Sequence, residues 1–536
     1  MHRALPVVLL VACGGDSAPL SPDAGGDPAG DGAVGSCEAP GRFGAPASTF
    51  TLPATAGRGI AYADVQAAFP EVDWSTLDRL YIPAGSYTNL MLGNLPVRTA
   101  ERPLVITNKG GQVVIGRNHG QGNYIWSMGG GANWILTGRA DDVSQTGDAA
   151  FPGHACGGYP DATGRYGLLS DDEFALSAPY LHMGIAVGGG ATDFEIEFVE
   201  VTRSGFAGIR LYNDHTLDQP MANVRVHDTY VHDTDGEGFY FGWTGAPPSN
   251  KFPGLQIYNN RILRTGNEAL QIQDVGDGSR IHHNTFISGG LHWLDNGLGR
   301  YQDSNSQILV REGTIEFDHN IFIDGAGTLV SFFSSPQPGD GDRHVTFHDN
   351  YFSDAIDLGM YLNGTSAAGS SFTWSRNVFR NFDFAYTPAD PQATDPDVIA
   401  GRNGAFQAPV TFEGNRWIGT SRIVAGIAGG DGTAGNVTLT GNRNEDAGAI
   451  ELRDGPWSSA GHHLTSWAPN ATVAPGSPPV TYRAGDVVVH GAAWTLYRAT
   501  DATANPPPGP AWTPLAAPTD DVRVAPGTAY AGLGVQ

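Results

Sequence analysis

A short pattern recurs down this chain and leaves few folds open to it. Alternating apolar residues lead to an asparagine, and apolar residues follow. The copies read LQIYNNRIL, RIHHNTFI, IEFDHNIFI, VTFHDNYFS, FTWSRNVFR, VTFEGNRWI and VTLTGNRNE, and they align Asn260, Asn284, Asn320, Asn350, Asn377, Asn415 and Asn442. Two earlier copies, FEIEFVEVT at 194–202 and VRVHDTYVH at 224–232, lack the asparagine. Period-2 alternation marks strands, and recurrence every 24 to 38 residues marks a solenoid with loops of varying length. No single coil can bury its apolar face, but stacked coils share one continuous core. An asparagine repeated at one turn predicts a ladder, each side chain bonding backbone and the next asparagine.

A second set of strands lies between these: GIRLY (208–212), GFYFG (238–242), ALQIQ (269–273), QILVR (307–311), LVSFF (329–333) and GMYLN (359–363). Alternation puts Ile209, Leu211, Phe239, Phe241, Leu270 and Ile272 inside, and Arg210, Tyr212, Tyr240, Gln271 and Gln273 outside.

This arrangement, over roughly residues 75–455, resembles the right-handed parallel β-helix of pectate lyases and related polysaccharide-active proteins. The opening segment LYIPAGSYTNLMLGNLPVRTAERPLVITNKGGQVVIG (80–116) is similar to the first coils of β-helical lyases of the chondroitinase B and alginate lyase type. The fold expected is therefore all-β, a right-handed parallel β-helix with a small C-terminal β module. The stretch YADVQAAFPEVDWSTLDRL is expected to supply a short helix over the open edge of the first coil.

The ends differ from the middle. MHRALPVVLLVAC has the charged start and short apolar run of an export signal. It resembles a bacterial lipoprotein signal over 1–13, with Cys13 as the lipidated residue and the outer membrane as the anchor. The alternative is an ordinary signal peptide cut near Ala12, giving an extracellular protein. Residues 14–45 are Gly, Asp, Ala and Pro with almost no apolar bulk, the composition of a disordered tether. Cys37 and Cys156 either pair or stay free thiols. The β-helix is expected over 46–455 and a separate module over 456–536. That module resembles the chitin-binding modules of carbohydrate-binding families 5 and 12, through Trp467, Tyr482, Gly485, Asp486, Val488, Gly491, Trp494 or Tyr497, Pro506 and Trp512. The resemblance implies that Trp467, Tyr482, Trp494, Tyr497 and Trp512 offer exposed ring faces to sugars; the competing reading makes them the core of a small β module.

Charge narrows the partners. The formal net charge is −25, with two lysines, Lys109 and Lys251, against 28 arginines. Such a surface excludes nucleic acid, which needs a basic footprint. The resemblance implies a polysaccharide as the partner, and on this surface an anionic one requires local arginines or a cation.

The chemistry is expected where RSGFAGIRLYND, TDGEGFYFGWT and TGNEALQIQDV align. Glu237 and Glu268 then fall at one position on adjacent coils, about 4.8 Å apart along the stack. Carboxylates this close share a proton, hold a cation, or act as acid and nucleophile of a glycosidase. Arg210 and Tyr240 stand beside them as charge stabiliser and proton-transfer group, and His232 lies near the same stretch. Gln271, Gln273 and Arg311, with Arg300 and Tyr301 from the insertion HWLDNGLGRYQD, are expected to bind substrate. Asp233 and Asp235 in DTDGEG have the alternate spacing of a calcium loop, so Ca2+ is the one cofactor the sequence offers. His227, His282, His283, His319 and His348 line the ladder turn, and a metal reading for them requires convergence in space.

Three functions follow: an exported polysaccharide lyase working by β-elimination, placed first; a glycoside hydrolase using the paired carboxylates; and a non-catalytic carbohydrate-binding surface protein.

Overall fold

The computed structural model describes residues 43–117, 124–139, 166–172, 182–243, 249–291, 304–325, 328–333, 340–355, 359–363, 369–382, 397–401, 408–418, 422–425, 437–453, 464–466, 481–482, 484–490, 495–516 and 520–535. Cys13, Cys37, Cys156, Arg300, Tyr301, Trp467, Trp494 and most of the tether lie outside the described residues.

The body is a right-handed parallel β-helix. One coil shows the plan: Arg225–His227 lies on a first face, Tyr230–Thr234 on a second and Glu237–Phe241 on a third. Each strand pairs in parallel with its counterpart one coil away, as Val226 with Ile257, Val231 with Ile262 and Phe239 with Leu270. The third face is one sheet of 12 strands, and the other two faces join into one of 23. They join because the long strands Arg79–Tyr87 and Leu104–Ile115 run through both faces of the first coils.

In-register stacking brings like residues together. Phe286, Phe322, Phe352 and Phe379 stack at 4.8–5.0 Å between ring centroids, and Phe317, Phe347, Trp374 and Phe412 at 4.4–5.5 Å. Ile209, Leu211, Phe239, Phe241, Leu270 and Ile272 are all buried inside, as alternation requires.

Two sharp corners repeat. Between the first and second faces, one residue per coil takes a left-handed conformation, including Asp228, Asn259, His283, His319, Asp349 and Arg376, at φ 50–55°. The ladder asparagine follows it. Asn320 Nδ2 donates to the Ile281 carbonyl at 2.8 Å and to Asn350 Oδ1 at 3.0 Å, and its own Oδ1 accepts from the backbone and side-chain nitrogens of Asn284. This bonding runs from Asn260 to Asn442 without a break. The corner between the second and third faces has its own left-handed column: Arg203, Asp233, Arg264, Ser288, Asp324, Asp354 and Asn381.

The expected N-terminal helix forms as one turn, Val65–Ala68, capped by Asp64 Oδ1 accepting from the Ala67 amide at 2.8 Å. At the other end, a four-stranded sheet holds Leu464–Ser466, Val487–His490, Thr495–Ala499 and Trp512–Pro514. Residues 520–535 lie over the second face. Tyr230, Leu263, Ile287, Ile321 and Tyr351 of that face share an apolar cluster with Ile450, Val522, Tyr530 and Val535. Arg264 forms ion pairs with both Asp233 and Asp520, and Arg261 donates to the Asp520 carbonyl at 2.8 Å.

Candidate functional site

Glu237 opens the third-face strand Glu237–Phe241 directly after the corner at Asp233. The residue after it is small on every nearby coil, as Gly208, Gly238 and Ala269. The reason is steric: a Cβ on Gly238 would lie 2.3 Å from the Ile262 side chain. Gly238 and Ala269 face in, and so do Phe239 and Leu270 after them, so alternation breaks at this corner and Glu268 meets the outward Gln307. The Gly238 amide donates to the Glu268 carbonyl at 2.9 Å, which fixes the two glutamates in register.

Their polar neighbours come from the same corner. Asn267 Nδ2 donates to Glu237 Oε1 at 3.2 Å, and Gln307 Nε2 donates to Glu268 Oε1 at 3.4 Å. Glu237 Oε2, Asn267 Oδ1 and Gln271 Oε1 are buried with no hydrogen-bond partner among the described residues. Burial pushes the Glu237 carboxyl up to about 7, against opposing hydrogen bonds from its own backbone amide and Asn267. Glu237 therefore holds a proton over much of the neutral range, as a general acid must. Asp235, in the same corner, is pushed up to about 7 by burial alone.

Arg210, Tyr240, Gln271 and Gln307 form the outward column next to the pair, each opposite the next in register. The strand is not exposed, contrary to expectation. All five residues of Glu237–Phe241 are buried, and Tyr240 packs against Phe206 at 5.2 Å. Further along, the Arg210 guanidinium lies 4.4 Å from the Tyr212 ring centre, and Tyr212 packs against the exposed Trp243 at 5.8 Å. Sequence reasoning missed Trp243, Asn267 and Gln307, although Gln307 is legible as the continuation of the Tyr240–Gln271 column.

The fold gives several of the expected residues partners of their own. His232 is on the second face, fully buried between Glu200 Oε1 at 3.2 Å and Asp233 Oδ2 at 2.6 Å. Burial alone would lower its pKa, but hydrogen bonds to Asp233 and Glu200 outweigh this and pull it up to about 9. It is an imidazolium in an ion-pair network, away from the third face. Both Asp233 oxygens have partners in the fold, Arg264 on each and His232 on one. Arg311 is buried and bound to Asp274 at 2.8 Å and to Asp340, which ties the strand Leu270–Val275 to residue 340. Gln273 donates to the Trp243 carbonyl. In the C-terminal sheet, Tyr482 and Trp512 are buried and meet edge to face at 5.6 Å, with Trp512 Nε1 donating to the Asn505 carbonyl. They are core residues and not exposed sugar platforms, because a module this small needs its aromatics inside. Tyr497 is half-buried.

A groove of about 730 Å³ lies on the first face, bordered by Arg79, Arg102, Asn133, Asp193, Arg225 and Gln256.

No family model and no curated protein matches the sequence. Among solved structures the chain is similar to a pectate lyase, Pel9A, at 10% identity over 70% of this chain and 78% of that one, with TM-score 0.35. It is similar to an alginate lyase from Paenibacillus sp. at 14% identity over 73% of this chain and 100% of that one, with TM-score 0.35. A lacto-N-biosidase of family GH136 from Eubacterium ramulus aligns at 10% identity over 74% and 67%, with TM-score 0.40. At these values the likenesses say nothing about chemistry, and the fold is read from strand register.

Proposed function

We propose that the protein cleaves a polysaccharide along its third face, with Glu237 as proton donor. The observation that carries this is the register of Glu237 on Glu268, with the first carboxyl pushed up to about 7 by burial. Any glycosidic cleavage needs a proton for the departing oxygen, and a carboxyl titrating near neutrality can both hold and give one. Glu268, one coil away at about 4.8 Å along the stack, is the second carboxylate of a hydrolase. That separation suits a nucleophile better than a base acting through water, since retaining enzymes place the two groups about 5–5.5 Å apart. Trp243 packed on Tyr212 supplies a ring face for a neighbouring sugar.

Elimination is the second reading, favoured by Arg210 beside Tyr240. Arg210 neutralises a uronate carboxylate, Tyr240, its own proton first given up to solvent, takes the adjacent ring proton, and Glu237 protonates the leaving oxygen. Lysine has no part in it: Lys251 is paired with Glu312, and Lys109 lies over Tyr81. The tether and signal-like start support a cell-surface or extracellular setting for either chemistry.

A panel of neutral and uronate polysaccharides tests the proposal, read both for new reducing ends and for the absorbance of an unsaturated product. Reducing ends without that absorbance mean hydrolysis. The absorbance, lost in Arg210→Ala, means elimination. Retained glycan binding with no cleavage anywhere on the panel overturns catalysis and leaves a carbohydrate-binding surface protein.

A further inference from the structure

The ladder-turn histidines on the first face differ sharply in their partners. His227 has both ring nitrogens on carboxylates, Asp228 at 2.7 Å and Glu195 at 3.0 Å. His348 is the same, with Asp349 at 2.7 Å and Glu316 at 2.6 Å. Neither has a lone pair to give. Between them lie His282, His283 and His319, whose surroundings are different.

His283 and His319 occupy the left-handed corner position on adjacent coils, both at φ 53°. The backbone thus sets one imidazole above the other, and the rings stack at 4.8 Å and 1°. Asp318 precedes His319 and places Oδ2 2.8 Å from its Nδ1. One ligand atom from each of His283, Asp318 and His319 lies within 4.8 Å of the others. Arg280 holds the Asp318 carboxylate from the side, at 2.8 Å and 3.0 Å.

His282 adds an independent sign. Its Nδ1 lies 2.9 Å from His283 Nδ1. Two imidazole nitrogens at this distance share one proton, which leaves the accepting ring neutral, as a metal ligand must be. Its Nε2 has no hydrogen-bond partner, although His282 is only 1% exposed. A buried imidazole facing another imidazole, in place of a carboxylate or carbonyl, is hard to explain as ladder packing alone.

We propose that His283, Asp318 and His319, with His282 beside them, bind a divalent transition-metal ion of the Zn2+ class on the first face. Imidazole nitrogens with one carboxylate suit Zn2+, whereas Ca2+ and Mg2+ require oxygen-rich sets. A tetrahedral ion with bonds of about 2.0–2.2 Å needs ligand atoms about 3.3–3.6 Å apart and in the plane of each ring, so side-chain shifts of roughly 1 Å and a turn of one imidazole out of the stack complete the set. Arg280 serves as the outer partner that fixes the carboxylate. The bound ion ties the coil of Ser279–His282 to that of Gly313–Asp318. The site stands on a different face from Glu237 and does not depend on the proposed catalysis.

The test uses the untagged full chain, stripped with chelator and titrated with ZnCl2 by calorimetry, with CoCl2 as a spectroscopic probe. The expected result is one ion per chain, visible bands of a nitrogen- and oxygen-ligated Co2+, and a higher melting temperature with Zn2+. His283→Asn and His319→Asn are each expected to weaken binding at least about tenfold. Asparagine suits the left-handed corner, so the metal-free melting temperature should stay near that of the parent. His344→Asn, at an exposed position on the same face, should leave affinity unchanged. If a corner variant fails to fold, His319→Gln at the half-exposed ring takes its place. No Zn2+ binding by the parent chain, or equal binding by the corner variants (an adventitious ion only), overturns the proposal.

Discussion

Glu237 and Glu268 stand on adjacent coils at one register position, joined through the Gly238 amide and the Glu268 carbonyl, and both are nearly excluded from solvent. If they form the acid and its partner, Glu237→Gln and Glu268→Gln should each lower kcat by about 10²–10⁴-fold, with little change in melting temperature. The working form of Glu237 is protonated, so the parent rate should fall as pH rises through about 7. Near-parental rates in both variants would remove the carboxylates from the mechanism.

The asparagine ladder predicts a stability gradient along the solenoid. Asn320→Ala removes four side-chain hydrogen bonds and takes a partner from the buried Asn284 amide and Ile281 carbonyl, while Asn350 Oδ1 keeps the backbone amide of residue 320. A loss of about 3 kcal/mol is expected, against about 1 kcal/mol for Asn442→Ala at the half-buried end, where water replaces the lost partners. Urea unfolding of the two variants checks the difference.

The C-terminal segment is held by charge as well as apolar contact. Asp520 meets Arg264 at 2.7 Å and 2.8 Å and accepts from the Tyr230 hydroxyl. Asp520→Asn keeps the shape and the left-handed backbone but removes the charge. It should cost about 3 kcal/mol, since it strips a partner from a buried arginine. Asp521→Asn, at a partly exposed pair with Arg523, should cost under about 1 kcal/mol.

Alkaline pH should loosen the fold. Burial opposes the charge on His227 and His232, but the carboxylates around them outweigh it and pull their pKa values up to about 10 and about 9. Asp228, Glu195 and Glu197 face His227, and Asp233 and Glu200 face His232. Both pKa values exceed the ordinary histidine range near 6.5. The stabilisation is thus full below about 6.5 and is lost as pH rises through 9 to 10. The urea midpoint should decline across that window, and His232→Gln should flatten the decline. A midpoint unchanged from pH 6.5 to 10 would contradict this protonation scheme.

The repeat made the architecture legible, because alternation and a recurring asparagine constrain each coil locally and stacking then follows. The inward set from Ile209 to Ile272 came from period 2 alone, and the register of Glu237 on Glu268 came from aligning the coils. Burial did not. The strand around Tyr240 looks half-polar in sequence, yet neighbouring coils and Phe206 cover it. Arg311, His232 and Asp233 read as chemical groups because their partners, Asp340, Glu200 and Arg264, lie about 30 residues away. Tyr482 and Trp512 read as ring platforms because sequence does not show which face of a small sheet is inside.

The sequence by itself determined the coil: its strands, its corner residues and its ladder, all set by contacts within a few residues and one repeat period. The tertiary structure decided which polar groups cancel one another and which are left over. Charges are neutralised by neighbours in space, and the solenoid sets a residue beside partners one or two coils away and beneath a C-terminal segment some 250 residues on. Only that arrangement separates the satisfied Asp233–Arg264–Asp520 network from Glu237 with its raised pKa and from the histidines around Asp318.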